Sequence, residues 1–208
     1  SGNRVFLTSA KQHTIMIAED ITKAPTVWAG KTNQAGLVNE IRLQSQFRAP
    51  SYVTLDQSQG VLYVSYSENH VIRLIRQEDS EKVKTLAGSG GNPGSRDGAL
   101  LAARFKNPEG IALDRTGRVW VVDSGNHTIR RLNVAANTVE TVAGKVGVAG
   151  NTDGQGAAAR FSSPQGIAVE TEGLAEQLER ELLGNPPPPI SMIVADSGNN
   201  VLRRVWED

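Results

Sequence analysis

The sequence predicts an all-β fold in which several similar sheets stack side by side, and three observations predict it. Ala-Gly pairs ending at Gly30, Gly88 and Gly144 return after 58 and 56 residues, so the chain is built from repeats. Turn-forming residues are abundant, with 21 Gly and 9 Pro among 208 residues, which favours short elements over long helices. Between the turns lie short runs of β-branched and aromatic residues, which are typical of strands.

Three sequence blocks make up each repeat, and the third repeat contains all of them. They lie at residues 105–114, 119–131 and 141–144. The first two blocks return with few changes in the fourth repeat, at residues 161–170 and 192–204. Looser copies precede them, so four repeats divide a single domain that covers residues 1–208. The repeats span approximately residues 4–30, 47–88, 105–144 and 161–206.

The third repeat predicts four short strands, which are labelled a to d in chain order. They are expected at residues 110–114, 118–122, 128–132 and 138–142. Ser124, Gly125 and Asn126 form a turn between b and c, because Gly and Asn tolerate positive φ. Four such strands make one blade, and a blade buries both of its faces only when blades stack around an axis. The predicted fold is therefore a β-propeller with two full and two partial blades.

These repeats resemble the NHL-repeat family of β-propellers. The resemblance rests on Asn-Pro-x-Gly-Ile-Ala-x-Asp at 107–114, on Val-Asp-Ser-Gly-Asn-His-x-Ile-Arg at 122–130, and on Val-Ala-Gly at 142–144. It extends over nearly the whole chain, and its motifs are specific for the repeat but not for any activity. It implies a propeller, commonly of six blades, that acts as a binding platform.

The strand pattern is incomplete at both ends of the sequence. The first repeat begins at strand b, near Val5, and the fourth ends after strand c, near Trp206. We therefore expect a segment of a longer propeller; an open or self-associating arc and an unusual closed form are the alternatives. Exposed strand edges invite pairing with another chain, so a second copy is one expected partner.

An insertion at residues 171–189 separates strands a and b of the fourth repeat. Leu174, Leu178 and Leu182 recur at helical spacing among charged residues, which predicts a short amphipathic helix. Gly184 and Asn185 are expected to end it, and the prolines at 186–189 predict a stiff polyproline II spacer. Three interpretations are open: the leucines pack on their own blade, they dock a partner, or the segment is disordered.

Long connectors that join strand d of one blade to strand a of the next suggest where binding occurs. Asp97 and Asp153 begin Ala-rich stretches of two connectors and are predicted to cap single helical turns. Connectors and b–c turns share one face of a propeller, and loops on a rigid scaffold concentrate binding residues. Tyr66 is a candidate exposed aromatic anchor on this face. The candidate residues are Tyr66, Asn69, His70, Arg104, Asn126, His127, Arg160, Asn199 and Asn200.

The three histidines occupy the same slot of successive repeats. His13, His70 and His127 are 57 residues apart, and Asn200 takes the slot in the fourth repeat. Equivalent slots diverge around a propeller axis, which is poor geometry for three ligands within about 2.1 Å of one ion. We therefore predict turn residues that bond their own hairpins, with no metal and no cofactor.

Several recurring residues are expected to be structural. Asp123 with Arg130, and Asp196 with Arg203, are predicted charge pairs across the b–c hairpin. In the second repeat Tyr66 replaces the Asp, which leaves Arg73 without that partner. The remaining residues of this group are the strand-a residues Pro108, Gly110, Pro164 and Gly166.

Composition excludes several classes of function. The 22 Lys and Arg balance 22 Asp and Glu, so the chain lacks the net positive charge that drives non-specific nucleic-acid or membrane binding. There is no Cys, which excludes thiolate metal sites and cysteine nucleophiles. No apolar run approaches the ~20 residues that span a bilayer. The sequence does not indicate a cellular compartment.

The predicted function is a non-catalytic interaction scaffold that binds a protein or peptide on the face of connectors and b–c turns. The first alternative is single-stranded RNA binding, which the resembled family includes, through Arg pairs in strand c. A further alternative is a lyase or hydrolase propeller, but no ligand set or catalytic triad supports it. The Arg pairs are 73 with 76, 130 with 131, and 203 with 204.

Overall fold

The computed structural model describes residues 4–78 and 82–207, and these form four antiparallel sheets with one α-helix. Residues 1–3, 79–81 and 208, which the predicted domain includes, lie outside the described residues. Each sheet corresponds to one predicted repeat, and its strands follow one another in chain order, except that residues 98–99, outside the predicted repeats, add an outer strand to the third sheet beside its last strand. The all-β, repeat-based fold class is thereby confirmed.

The strands have the following bounds. Blade 1 contains β1 (Val5–Ser9), β2 (Thr14–Ala18) and β3 (Thr26–Ala29). Blade 2 contains β4 (Pro50–Asp56), β5 (Val61–Tyr66), β6 (Val71–Arg76) and β7 (Lys84–Gly88). Blade 3 contains the two-residue β8 (Gly98–Ala99), then β9 (Pro108–Leu113), β10 (Val119–Asp123), β11 (Thr128–Asn133) and β12 (Thr138–Ala143). Blade 4 contains β13 (Gly166–Val169), β14 (Ser191–Asp196) and β15 (Val201–Trp206).

The hydrophobic core is divided among the spaces between successive blades. Three clusters of buried residues join blade 1 to 2, blade 2 to 3, and blade 3 to 4. Each contains the phenylalanine that ends a connector: Phe47, Phe105 or Phe161. These rings are at most 1% exposed, and burying such a side chain stabilises a fold by about 1.5–3 kcal/mol. Stacking therefore supplies the cover that a single sheet lacks.

The innermost strands of neighbouring blades approach each other closely at Gly110. Its N–H donates to the carbonyl of Gln165 over 2.7 Å, and a Cβ at this position would lie 2.5 Å from the same oxygen. At Gly166 a Cβ would lie 3.3 Å from the Cβ of Ala195. The glycines of the Pro-x-Gly motif thus serve close packing between strands, as predicted for structural residues.

The insertion forms the predicted helix, α1 (Leu174–Leu182), and Gly184 follows it with a φ of +66°. Leu178 and Leu182 are 57% and 87% exposed, which contradicts the interpretation that these two leucines pack on their own blade; the side chain of Leu174 lies outside the described residues. Polar contacts hold the segment instead: Arg180 pairs with Glu172 at 3.0 Å, and the carbonyl of Pro188 accepts a hydrogen bond from Arg115. No helix of the described residues is long and apolar enough to span a bilayer.

The connectors differ from the sequence prediction in how their turns begin. The short 3₁₀ turn Gly156–Ala158 follows Gln155 and has no side-chain cap, so the predicted capping role of Asp153 is wrong. The carboxylate of Asp97 accepts hydrogen bonds from the N–H and hydroxyl of Thr141, at 3.0 and 3.1 Å, and not from a helical turn. Both aspartates also bind an arginine, Asp97 binding Arg130 and Asp153 binding Arg203.

Candidate binding site

Connectors and b–c turns form one continuous surface, which we call the connector face. Residues 31–47, 89–105 and 145–161 are its connectors, and residues 10–13, 67–70, 124–127 and 197–200 are its turns. The second and third turns each lie between two connectors. Asn126, for example, donates its side-chain amide to the carbonyl of Gly94 at 2.7 Å, and its own carbonyl accepts from Gly147 at 3.1 Å. Helix α1 lies between strands a and b, at the opposite end of the blade.

A buried arginine fixes the second connector. Arg130 is fully buried, and its guanidinium lies 2.7 Å from Asp123 and 2.6 Å from Asp97. It also donates to the carbonyls of Arg104 and Arg96, at 3.0 and 3.1 Å. Arg130 thereby binds strand b of its own blade, through Asp123, and two points of the second connector, at residues 96–97 and at residue 104.

The carboxylate of Asp123 completes this arrangement. One oxygen accepts the N–H of Lys106 at 2.7 Å, and the other accepts Asn126 and Arg130 at 2.7 Å each. Burial raises the pKa of Asp123 to about 6, because desolvation outweighs the lowering effect of Arg130, Asn126 and the Lys106 N–H. The predicted Asp123–Arg130 pair is therefore confirmed, and it is a buried pair with further partners.

Blade 4 repeats the same geometry. Arg203 lies 3.3 Å from Asp196 and 2.6 Å from Asp153, and its guanidinium stacks 4.7 Å from the ring centre of Phe161. Asn199 bridges Asp196 and the carbonyl of Gly150, at 2.8 and 2.7 Å. The second predicted charge pair is thus confirmed.

Blade 2 keeps the arginine without a carboxylate. Arg73 is fully buried and donates to the carbonyls of Gln46 and Val38, at 2.7 Å each, and to the side chain of Asn39 at 2.6 Å. Tyr66 is also fully buried, with its ring 5.5 Å from the guanidinium and its hydroxyl without a hydrogen-bond partner among the described residues. The predicted exposed anchor at Tyr66 is therefore wrong, since the ring fills the space that Asp occupies in blades 3 and 4.

The histidines join neighbouring blades. His13, His70 and His127 have φ of 59–60°, and each backbone N–H bonds its own turn, as predicted. Each ring, however, binds the next blade, because Nδ1 accepts a backbone N–H at 3.2, 3.2 and 2.9 Å. The donors are Ala49, Asn107 and Ser163. The sequence of a single repeat does not predict this contact between blades, because the donor belongs to the following repeat.

The His70 contact predicts lower stability in acid. Burial lowers the pKa of His70, assisted by Lys106 and opposed by a hydrogen bond that the ring donates to the backbone of Ser67. As the pH falls, the His70 ring therefore gains a proton in the unfolded chain before it does so in the native chain. Stability is lost as the pH falls from the pKa of the unfolded state, about 6.5, through the lower pKa of the native state. Relative to His70→Asn, we expect the urea midpoint of the unchanged chain to fall between about pH 7 and pH 5; the raised pKa of Asp123 acts in the opposite direction but is common to both proteins. His70→Asn should reduce this dependence, because Asn200 occupies the same slot at a φ of 57°; an unchanged pH profile would contradict the assignment.

Most of the other candidate residues also serve the framework. Asn69 and Asn126 are buried at 7% and 5% exposure, which corrects their prediction as surface residues. Arg104 and Arg160 each direct one guanidinium nitrogen to three carbonyls of their own connector, at 2.6–3.3 Å. Of the candidates, Asn200 is the exposed one, whereas His70, His127, Arg104, Arg160 and Asn199 are half-buried.

Exposed aliphatic side chains on the connectors were not singled out from the sequence. Leu43 and Leu101 occupy the same slot, four residues before Phe47 and Phe105, and are 56% and 64% exposed. Val146 on the third connector is 43% exposed. Leucines that return four residues before the connector phenylalanine are the signal that could have identified them.

Of the six strand-c arginines of the RNA alternative, five are buried or paired with carboxylates and one, Arg76, is exposed. Arg73 and Arg130 are fully buried. Arg131 binds Glu140 at 2.6 Å and also contacts Glu207, and Arg204 binds Glu170 at 2.7 Å. Within residues 4–78 and 82–207, no group of three or more His, Asp or Glu side chains is placed to hold a metal ion.

Comparison with known proteins agrees with this geometry. The family model for the NHL repeat matches residues 105–132. NHL repeat-containing protein 2 of Homo sapiens is 32% identical over 128 residues, covering 60% of this chain and 17% of its own length. Protein SUPPRESSOR OF QUENCHING 1 of Arabidopsis thaliana is 25% identical over 97% of this chain and 18% of its own length. The chain thus spans about a fifth of the length of the curated relatives it matches.

Solved structures share the fold. A protein of unknown function from Bacteroides thetaiotaomicron superposes with a TM-score of 0.72 at 21% identity, over 97% of this chain and 44% of that one. An auxiliary nutrient binding protein from the same organism has a TM-score of 0.68 at 17% identity, over 99% of this chain and 46% of that one. The chain thus contains an NHL repeat at residues 105–132, is similar in sequence to NHL repeat-containing protein 2, and has the fold of a β-propeller.

Proposed function

We propose that this chain is a non-catalytic interaction propeller that binds a protein or peptide on its connector face. The observation that carries the proposal is the pair Leu43 and Leu101, which are exposed at one slot of successive connectors. Each of these connectors is tied down by a buried arginine, Arg73 or Arg130. Apolar side chains are thus presented on loops that have little freedom.

Rigid presentation favours binding because it lowers the entropy lost on association. A loop that is already ordered loses less conformational freedom when a partner docks, so more of the contact energy appears as affinity. With a net charge of zero, the chain gains little from long-range electrostatic attraction, so apolar contacts are the expected source of affinity. The structural likeness to an auxiliary nutrient binding protein supports a binding role in general terms.

The burial and pairing of the strand-c arginines disfavour RNA as the ligand. Single-stranded RNA requires free cationic groups along its backbone and aromatic rings on which bases stack. Arg73 and Arg130 lie inside the protein, and the Tyr66 ring is buried beside Arg73. A protein or peptide partner therefore fits the exposed groups of this face better.

The proposal is tested with peptides selected from a random library on the intact chain. In the double variant Leu43→Ser with Leu101→Ser, we expect affinity to fall at least about tenfold, since buried anchors dominate binding energy. Leu182→Ser on α1, which is 87% exposed at the opposite end of the blade, is the matched control and should bind normally. Unchanged affinity in the double variant, or a loss confined to the control, would refute the connector face as the site.

A further inference from the structure

The connection between strands a and b of blade 4 is much longer than its counterparts in other blades. Residues 57–60 make this connection in blade 2 and residues 114–118 in blade 3, whereas blade 4 uses residues 170–190. Leu178 and Leu182 of its helix α1 are exposed, so much of the added length contributes neither to the sheets nor to the core. Surface segments held by a rigid scaffold are where binding residues concentrate.

This connection ends in four consecutive prolines at residues 186–189, which we call the proline run, and all four are exposed. Proline fixes φ near −65° and has no backbone N–H, so a run of prolines favours the polyproline II helix, which has no internal hydrogen bonds. This helix has three residues per turn and rises about 3.1 Å per residue. Pro186 and Pro189 therefore lie on the same side of the run, about 9 Å apart, with their rings accessible.

The proline run is fixed to the rest of the chain at both ends. Before it, Arg180 of α1 donates to the carbonyl of Asn185 at 3.3 Å. Near its end, the carbonyl of Pro188 accepts a hydrogen bond from Arg115 of blade 3. After it, Ile190 is 3% exposed and packs in the core between blades 3 and 4. A segment that is stiff and held at both ends loses little conformational freedom when a partner binds.

The chemistry of the proline run determines the kind of surface that fits it. Its rings are apolar, and its carbonyls have no N–H donor within the run, so they are available to donors of another molecule. Aromatic-lined grooves bind Pro-x-x-Pro segments of this kind, because their rings pack on the prolines while Tyr O–H and Trp N–H groups donate hydrogen bonds. A groove of this type is therefore the expected counterpart.

Helix α1 adds a negative charge next to the proline run. Glu176, Glu179 and Glu181 are exposed, whereas Arg180 is half-buried and pairs with Glu172 at 3.0 Å. Complementary charges at the rim of an interface increase the rate of association and disfavour wrong partners. The groove that binds the proline run is accordingly expected to have a basic rim.

We propose that the proline run is a docking site for a separate polypeptide that carries an aromatic-lined groove with a basic rim. Pro186 and Pro189 pack against the aromatic rings of the groove, and free carbonyls of the run accept its hydrogen bonds. The exposed glutamates of α1 lie beside the basic rim. This site is at the opposite end of the blade from the connector face and does not depend on the exposed leucines there.

The probes are purified SH3, WW and EVH1 domains, which share an aromatic-lined groove, chosen to include both basic and acidic rims. Titrated with the intact chain, at least one domain with a basic rim should bind with a Kd below about 100 μM. Pro186→Ala with Pro189→Ala should weaken this binding at least about tenfold, because a few anchors dominate binding energy. Pro93→Ala, at an exposed proline of the second connector, is the matched control and should bind normally.

Arg115→Ala tests whether the fold presents the proline run in a preformed shape. Arg115 is exposed, and its replacement removes the donor to Pro188 while all four prolines remain. We expect the affinity of the intact chain to fall at least about threefold, because more freedom is then lost on binding. A capped synthetic peptide of residues 184–190 should bind the same domain more weakly than the intact chain does.

Three results would overturn the proposal. The first is no binding of any probe domain at about 1 mM, and the second is unchanged affinity in the double proline variant. The third is tighter binding by grooves with acidic rims than by grooves with basic rims. Both replaced prolines are exposed, and far-UV circular dichroism of the double variant checks that the fold is kept. Leu43→Ser with Leu101→Ser should leave binding of the probe domain unchanged, which separates this test from that of the connector face.

Discussion

Replacing Arg130 with Met is expected to destabilise the chain by about 3–5 kcal/mol, because it leaves the buried carboxylate of Asp123 without its cation. The change also removes the donors to the carbonyls of Arg96 and Arg104, which hold the second connector. Asn126 and the N–H of Lys106 alone remain on Asp123. Urea unfolding followed by far-UV circular dichroism measures the loss.

Arg73→Met is the matched control for this variant. Arg73 is equally buried and binds the equivalent connector, but its neighbour is Tyr66 and not a carboxylate. Its removal leaves polar groups unpaired but leaves no buried charge. We therefore expect Arg73→Met to lower the free energy of unfolding by about 2 kcal/mol less than Arg130→Met does. Equal losses would show that the charge of Asp123 contributes little and would contradict the assignment of the pair.

Gly144→Ala is expected to cost about 3 kcal/mol or more, for two reasons that act together. Gly144 has a φ of +94°, and a Cβ there would lie 2.4 Å from the carbonyl of His127 and 3.2 Å from the Phe161 ring. The backbone would have to move away from the b–c turn and the inter-blade core. Differential scanning calorimetry on the purified variant measures the effect as a lower Tm.

Gly147→Ala separates conformational strain from the clash. Gly147 also has a positive φ, +70°, but nothing lies within 4 Å of the position of a Cβ. Its replacement should cost only about 1 kcal/mol, the penalty of a left-handed conformation. Equal stability of the two alanine variants would show that the glycine of the Ala-Gly motif is not needed for close packing against the b–c turn.

The strands were predictable because they depend on local sequence. In the third repeat, the predicted strand at residues 128–132 corresponds to Thr128–Asn133 and that at 138–142 to Thr138–Ala143. The same strand pattern occurs in all four repeats, so each copy supports the strand assignment made for the others. The Asp123–Arg130 pair was predictable for the same reason, since both residues belong to one hairpin.

Contacts between repeats were not predictable from the motif alone. The ring of His127 binds Ser163, and Arg130 binds Asp97 and the carbonyl of Arg96, all in other parts of the chain. Their spacing reflects how blades stack, which one repeat does not encode. Tyr66 illustrates the consequence: replacing a charged residue by an aromatic one suggested exposure, but Phe47 packs 5.4 Å from its ring and covers it.

Hydrogen exchange in Arg130→Lys tests most directly the central claim that recurring buried arginines fix the connectors. A lysine keeps the charge but cannot bind Asp123 and both connector carbonyls together. We predict at least about tenfold faster exchange of the second-connector amides of Gly94 and Arg104, with Gly150 and Arg160 of the third connector unchanged. Uniform acceleration across both connectors, or none in either, would contradict the claim.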